Sequence, residues 1–287
     1  MSYSAEDVQA ILRMAEKAGL EVIPGLATLG HAEHFVDCEA LQSLREAGSW
    51  YQHMFCPSNP ETYQFLDGYV RDIAEMFPST NLHIGCDEAW ALGSCPACQK
   101  RLQNGETRAD FFVQHIVRLH QLLNELGKRT WIWSDMFETF PPGTLQRIPK
   151  DIVLCSWHYG ADQMSREGIQ GHFNNLRRRD VLTEHSALGF DTVVCPWGKD
   201  ITSGLALTQL AGARPLLGGL LTHWEMDKIF LPSILAPTAL FGYLWSHPNE
   251  SAEQALSVVF SSIFPHASEI EKYSLRHMLL GLPHVPL

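Results

Sequence analysis

The feature that most constrains this chain is an alternation. Short apolar runs recur between longer stretches of helical periodicity, from one end of the sequence to the other. Short runs joined by helical crossovers indicate parallel strands covered on both faces. The strands are expected at residues 21–29, 82–86, 131–133, 152–156, 192–195 and 218–221. Between them, Ser4 caps a helix carrying Val8, Ile11, Leu12 and Ala15 on one side, closed by Gly19. Asn59-Pro60 opens a second helix, with Tyr63, Leu66, Val70, Ile73, Ala74 and Phe77 on its apolar face and Pro78 as its stop. A third spans 108–126, with Phe112, Ile116, Leu119 and Leu123 inward and Gly127 as its cap, after an irregular loop that runs to about Glu106. Helical stretches are also expected at 172–188, 205–210 and 231–244, with a helical tail behind them.

Polar and aromatic residues gather where these strands end: His31, Asp87-Glu88, Asp135, Trp157 and Tyr159, Trp197, and Trp224-Glu225. A (β/α)8 barrel builds its site from strand ends on one face. A doubly wound sheet would instead show a glycine-rich phosphate turn, and neither GxGxxG nor GxxxxGK[ST] occurs. The expected fold class is therefore α/β, of the (β/α)8 TIM-barrel type, as a single domain over 1–287. Composition narrows the partners. With 21 Lys and Arg against 32 Asp and Glu, the net charge is −11, which disfavours nucleic acid and acidic lipid. The one basic cluster, Arg177-Arg178-Arg179, is explained by a solvated loop or helix end. No apolar run reaches the roughly 18 residues of a membrane span. Cys86, Cys155 and Cys195, three of seven cysteines, lie in strand-like runs where thiols act as small core residues. The expectation is a reduced chain in the cytoplasm, extending to the nucleus, with no leader segment visible before the first helix.

An acid pair ringed by tryptophans suggests sugar chemistry. Indole faces cover the C–H face of a pyranose while carboxylates and histidine bond its hydroxyls. Adjacent Asp87 and Glu88 are badly placed to straddle a scissile bond as retaining carboxylates do, about 5 Å apart. They suit a division in which one protonates the leaving oxygen and the other orients the substrate, with like charge and burial keeping one of them protonated. Blander readings stand beside these. The pair could sit in a solvated turn, His83 could be a core histidine, His31 could merely cap its loop, and each single Trp could be packing. His31 and His34 lack a third metal ligand at a suitable spacing. Cys95-Pro96-Ala97-Cys98 is half of a zinc or redox pattern without its second pair. No metal and no cofactor are expected. The sequon Asn249-Glu250-Ser251 would go unused in a reduced compartment.

His83-Ile84-Gly85-Cys86-Asp87-Glu88 resembles the H-x-G-x-D-E signature of family-twenty glycoside hydrolases, the β-N-acetylhexosaminidases. The segments around Pro24 to His34 and Trp133-Ser134-Asp135-Met136-Phe137 are similar to that family too, and the resemblance runs from about Ser4 to Tyr243. It implies a substrate-assisted reaction through an oxazolinium intermediate. Glu88 would then be the general acid and base, and Asp87 the group that orients the acetamido N–H. Tyr159 would bond the acetamido oxygen, Trp157 and Trp197 would wall its pocket, and Trp224 would stack under the ring. Glu225 would bind outer hydroxyls, with Asp135 in a similar role, and His31 and His83 would be substrate-side residues. The expected partner is a small-molecule or glycoconjugate substrate with a terminal N-acetylhexosamine, and a homodimer is the assembly left open. Matched to the family, the six strands are its third through eighth, within 1–225, with terminal helices in 226–287. The expectation is thus a barrel lacking its first two strands, either active or a catalytically silent scaffold. A metal-dependent hydrolase on the same barrel is the second enzyme reading.

Overall fold

The computed structural model describes residues 3–46, 53–160, 164–165, 168–169, 180–212, 214–224 and 231–280. The chain divides into two compact units, residues 1–153 and 154–287.

The first unit opens with α1 (Ala5–Lys17), held by a capping box between Ser4 and Asp7. Its apolar stripe is amphipathic as expected, yet none of its residues is buried. The short α2 (Glu33–Val36) and a 3-10 turn (Glu39–Leu44) follow. Then comes α3 (Pro60–Met76), capped by Asn59 and burying Tyr63, Leu66, Val70 and Ala74. Strand β1 (Asn81–His83) leads through α4 (Pro96–Gln103) and α5 (Arg108–Glu125) to β2 (Arg129–Trp133). β1 and β2 run parallel, with Leu82 opposite Thr130. Phe112, Ile116, Leu119 and Leu123 of α5 are buried, each worth about 1.5–3 kcal/mol of transfer free energy for an aliphatic or aromatic side chain.

Two expectations need correction here. The strand at 21–29 reduces to a parallel bridge between Gly25 and His83. The bonds His83 N–H to Pro24 O (3.0 Å) and Leu26 N–H to His83 O (2.8 Å) flank it. Pro24 has no N–H to continue the ladder on its own side. The loop expected to run to Glu106 contains α4, whose start is capped by Cys95 and fixed by Pro96 at its first position.

The second unit begins with most of β3 (Val153–Trp157), which pairs in parallel with β6 (Thr192–Cys195), Cys155 lying opposite Val193. A two-residue antiparallel pair, β4 (Met164–Ser165) with β5 (Gly168–Ile169), and helix α6 (Val181–Ala187) lie between them in sequence. The helix expected from residue 172 falls partly outside the described residues. α7 (Ile201–Ala211) is longer than the sequence pattern indicates, because Asp200 accepts from Ser203 N–H and caps it early. β7 (Gly218–Gly219) pairs in parallel with β6 and is shorter than expected. β3 and β6 are buried along their length apart from the partly exposed Trp157, the pattern of strands covered on both faces. Three closing helices, α8 (Leu231–Ser246), α9 (Ala252–Ile263) and α10 (Glu269–Leu280), pack through Leu240, Phe241, Leu256, Phe260 and Leu280. Parallel strands joined by helices are the repeating element of the expected α/β barrel class. Among the described residues no helix is long and apolar enough to cross a membrane.

Candidate active site

The end of β1 is where the first unit departs from regular geometry. Ladder bonds continue one step past the strand, from Ile84 N–H to Trp131 O (2.9 Å) and from Trp133 N–H to Gly85 O (3.0 Å). The backbone then turns left-handed at Gly85 (φ 71°), Cys86 (φ 76°) and Glu88 (φ 45°), and His31 opposite it does the same (φ 56°). Non-glycine residues at such angles are strained and concentrate at functional sites. Glycine is obligatory twice in this corner. A Cβ on Gly30 would stand 2.3 Å from Asp87 O, and one on Gly85 would stand 2.6 Å from Leu26 O. Backbone therefore touches backbone, which brings the His31 ring onto the acid pair.

His31 Nε2 lies 3.1 Å from Asp87 Oδ2 and 3.3 Å from Glu88 Oε2. These two carboxylates, Asp87 foremost, raise the imidazole pKa from 6.5 to about 10, against the opposing effect of burial. At neutral pH the ring is an imidazolium that bridges both acids. A cation thus lies between the two acids of the pair. A third carboxyl lies beneath the pair. Asp135 is fully buried, and desolvation, then the charge of Asp87, pushes its pKa well above the carboxylate range. Its Oδ2 accepts the Glu88 N–H at 3.0 Å. Asp135 is thus placed beneath the backbone of the acid pair, and the sugar-hydroxyl role expected of it is a proposal. The chain enters a 3-10 turn (Asp135–Glu138) directly after β2, and this tucks the side chain under the Glu88 backbone. His83 lies at the same strand end. It is buried, its Nδ1 accepts the Gly85 N–H at 3.0 Å, and its ring packs on Trp133 at 4.6 Å. It supports the strand end rather than facing solvent.

Trp90 was passed over in the sequence reading. It is half-exposed, and its N–H bonds Glu88 O at 2.7 Å, so the turn after the acid pair presents an indole. Its position two residues beyond Glu88 was the available signal.

The second unit carries an aromatic group at the ends of β3 and β6. Tyr159 packs against Trp157 (centroids 5.1 Å apart) and Trp197 (5.7 Å). Its hydroxyl lies 2.8 Å from Thr222 Oγ1 and accepts the Trp224 indole N–H at 2.8 Å. Thr222 in turn donates to Pro196 O at 2.9 Å, and the Gly160 N–H bonds Asp200. Three of the residues expected in a sugar pocket, Trp157, Trp197 and Trp224, therefore each touch Tyr159, with Trp224 half-exposed. Glu225 lies outside the described residues.

The catalytic-domain profile of glycosyl hydrolase family 20 matches residues 1–192. This chain belongs to glycosyl hydrolase family 20. Two of its relatives are called Hexosaminidase D. The one from Bos taurus is 27% identical over 239 residues, covering 78% of this chain and 68% of that protein. The one from Homo sapiens is 29% identical over 242 residues, covering 78% of this chain and 49% of that protein. The family-20 chain thus spans about half to two thirds of the length of these relatives. Flavobacterium johnsoniae chitobiase, a solved structure, aligns with a TM-score of 0.67 over 95% of this chain and 44% of its own, at 19% identity. That likeness is one of fold and agrees with the barrel-type class read from the sequence. The strand end bearing Asp87 and Glu88 falls inside the part matched by the family-20 profile.

Proposed function

We propose that this chain is a retaining β-N-acetylhexosaminidase acting on terminal β-linked N-acetylgalactosamine or N-acetylglucosamine. The observation that carries this reading is the pair Asp87 and Glu88, neighbours at one strand end and joined by one imidazolium. Carboxylates so close cannot flank a sugar as acid and nucleophile, whereas a nucleophile supplied by the substrate's own acetamido group requires no second flanking carboxylate.

In the proposed reaction Glu88 donates a proton to the glycosidic oxygen as its bond to C1 breaks. The acetamido oxygen attacks C1 from the opposite face and forms the oxazolinium. Asp87, as carboxylate, accepts the acetamido N–H and stabilises the positive charge that develops there. Glu88, now a carboxylate, takes a proton from water, which opens the ring at C1 with overall retention. The His31 imidazolium, with Nε2 3.3 Å from Glu88, holds that carboxyl in place and offsets the charge it carries once its proton is given up. Asp135 and His83 position the turn. Trp157, Tyr159, Trp197 and Trp224 are proposed to bind the sugar and its acetamido group, and Glu225 its outer hydroxyls. Seven free cysteines support a reducing compartment, and the cytoplasm, with access to the nucleus, is the compartment proposed.

Chromogenic N-acetylglucosaminide and N-acetylgalactosaminide test this reading. The expected result is turnover that survives chelators and is blocked by thiazoline mimics of the intermediate. Glu88→Gln should lower kcat about 10²–10⁴-fold, the usual worth of general acid–base catalysis. Sugar binding without turnover would favour the catalytically silent reading, and loss of turnover with chelators while circular dichroism and the thermal midpoint stay unchanged would favour a metal-dependent hydrolase.

A further inference from the structure

The half-pattern Cys95-Pro96-Ala97-Cys98 finds its second half in the folded chain. A short antiparallel ladder brings Arg45 opposite Phe55, with Glu46 N–H bonded to Met54 O (2.8 Å) and Cys56 N–H to Leu44 O (2.7 Å). That ladder delivers Glu46 and Cys56 to the N-terminus of α4. Cys56 Sγ lies 3.3 Å from Cys95 Sγ and 3.9 Å from Cys98 Sγ, and Cys98 Sγ lies 3.1 Å from Glu46 Oε2. The four donor atoms all fall within 4.8 Å of one another, and all four residues are buried.

We propose that Cys56, Cys95, Cys98 and Glu46 bind one structural zinc ion. The first argument is geometric. Tetrahedral zinc with Zn–S bonds of about 2.3 Å sets its sulfurs about 3.8 Å apart, close to the spacings found. The second is electrostatic and independent of the thiols. Glu46 is 1% exposed, and its bonds among the described residues go to the Cys95 N–H and the Cys98 thiol, neither of them a cation. A carboxylate taken out of water needs a positive partner, and a divalent ion among its ligands supplies one. The third is the choice of donors. Three thiols and one carboxylate close a four-coordinate shell, a set that selects zinc over magnesium or calcium. Ser58 Oγ, 3.0 Å from Cys98 Sγ and bonded by Arg101, completes the surroundings as a hydroxyl able to donate to the bound sulfur. Binding releases the three thiol protons to solvent.

A closed site of this kind activates no water. Its effect is to tie two segments that both lead to the acid pair. The Cys95 end follows the turn after Glu88. The Cys56 end belongs to the ladder whose Phe55 N–H bonds Leu29 O (2.9 Å) and whose His53 O accepts the Ala32 N–H (2.9 Å), on either side of His31.

The test is metal content and spectrum of the full chain. Protein exchanged through metal-free buffer, given zinc and exchanged again, should retain one zinc per chain by mass spectrometry. Cobalt in its place should give the thiolate-to-cobalt charge-transfer band and the strong visible bands of a tetrahedral site. Chelation should lower the thermal midpoint, and zinc but not magnesium should restore it. Cys98→Ser should lose the charge-transfer intensity and the retained metal. Glu46→Gln, which keeps size and hydrogen bonding, should weaken retention while leaving circular dichroism unchanged, so a folding failure of the first variant does not decide the matter. Cys38→Ser, at an exposed thiol outside the cluster, should retain full stoichiometry. Failure to retain zinc together with absence of the cobalt band in the folded parent would overturn the proposal. So would an intact mass and thiol count showing a disulfide within Cys56, Cys95 and Cys98.

Discussion

Replacing His31 by glutamine removes the cation between Asp87 and Glu88, and the effect should depend on pH in a defined direction. The folded-state pKa of the ring is raised from 6.5 to about 10. At about 1.4 kcal/mol per pH unit, such a rise would be worth roughly 5 kcal/mol for a fully shielded group. The His31 side chain is 39% exposed, and solvent screening reduces the contribution to about 1–2 kcal/mol. Below pH 6.5 the ring is charged in both folded and unfolded chains, so the contribution is fully present. It declines as pH rises through the window and is gone above about 10. Urea unfolding of the parent and His31→Gln between pH 6 and pH 10.5 isolates this ring from the other thirteen histidines. The parent should exceed the variant by about 1–2 kcal/mol at pH 6, with the gap closing towards pH 10. Parallel curves, or an NMR titration of the His31 ring with its midpoint below 7, would refute the bridging imidazolium.

Four further variants test the same corner and the aromatic group. Gly30→Ala places a Cβ 2.3 Å from a backbone oxygen that cannot swing away, and should cost about 1–3 kcal/mol in urea unfolding, the usual range for overpacking. Asp135→Asn keeps an acceptor for the Glu88 N–H and removes a buried carboxyl whose pKa is raised. A raised carboxyl pKa loses stability as pH climbs above its unfolded value, so this variant should gain on the parent as pH rises from about 4. Asp135→Ala leaves that N–H unpaired and should lose about 1–3 kcal/mol by the same assay. Tyr159→Phe removes the hydroxyl that links Thr222 to Trp224 and should raise KM for the N-acetylated substrate more than it lowers kcat, with unfolding shifted by about 1 kcal/mol.

The sequence carried the helices whose apolar residues fall at regular spacing, because burying that stripe is what forms them. In α3 and α5 the expected inward residues include Leu66, Val70, Ile116 and Leu123, and all four are buried. Strand ends were legible for a related reason, since an apolar run stops where the chain meets polar groups. Helix α4 was not, because among its eight residues only Cys98 is buried and its start is set by Pro96 and a cysteine cap rather than by periodicity. The segment before His31 looked like a strand because its residues are apolar, but a ladder also needs donors, and Pro24 has none. Site residues were legible as types and not as partners. Glu46 and Cys95 meet across 49 positions and Glu88 and Asp135 across 47, distances that no local pattern encodes.

The left-handed turns at His31, Cys86 and Glu88 have a consequence for the order in which this molecule assembles. Each conformation costs its residue about 1 kcal/mol or more relative to an ordinary backbone. Within the hexapeptide 83–88 the bond from Gly85 N–H to His83 Nδ1 offsets only part of that cost, so an excised segment would relax towards an extended chain. The completed ladder on both sides of β1, the contact through Gly30 and the bond from Glu88 N–H to Asp135 hold the shape. The geometry of the acid pair is therefore a property of long-range contacts, and an isolated strand end would not carry it.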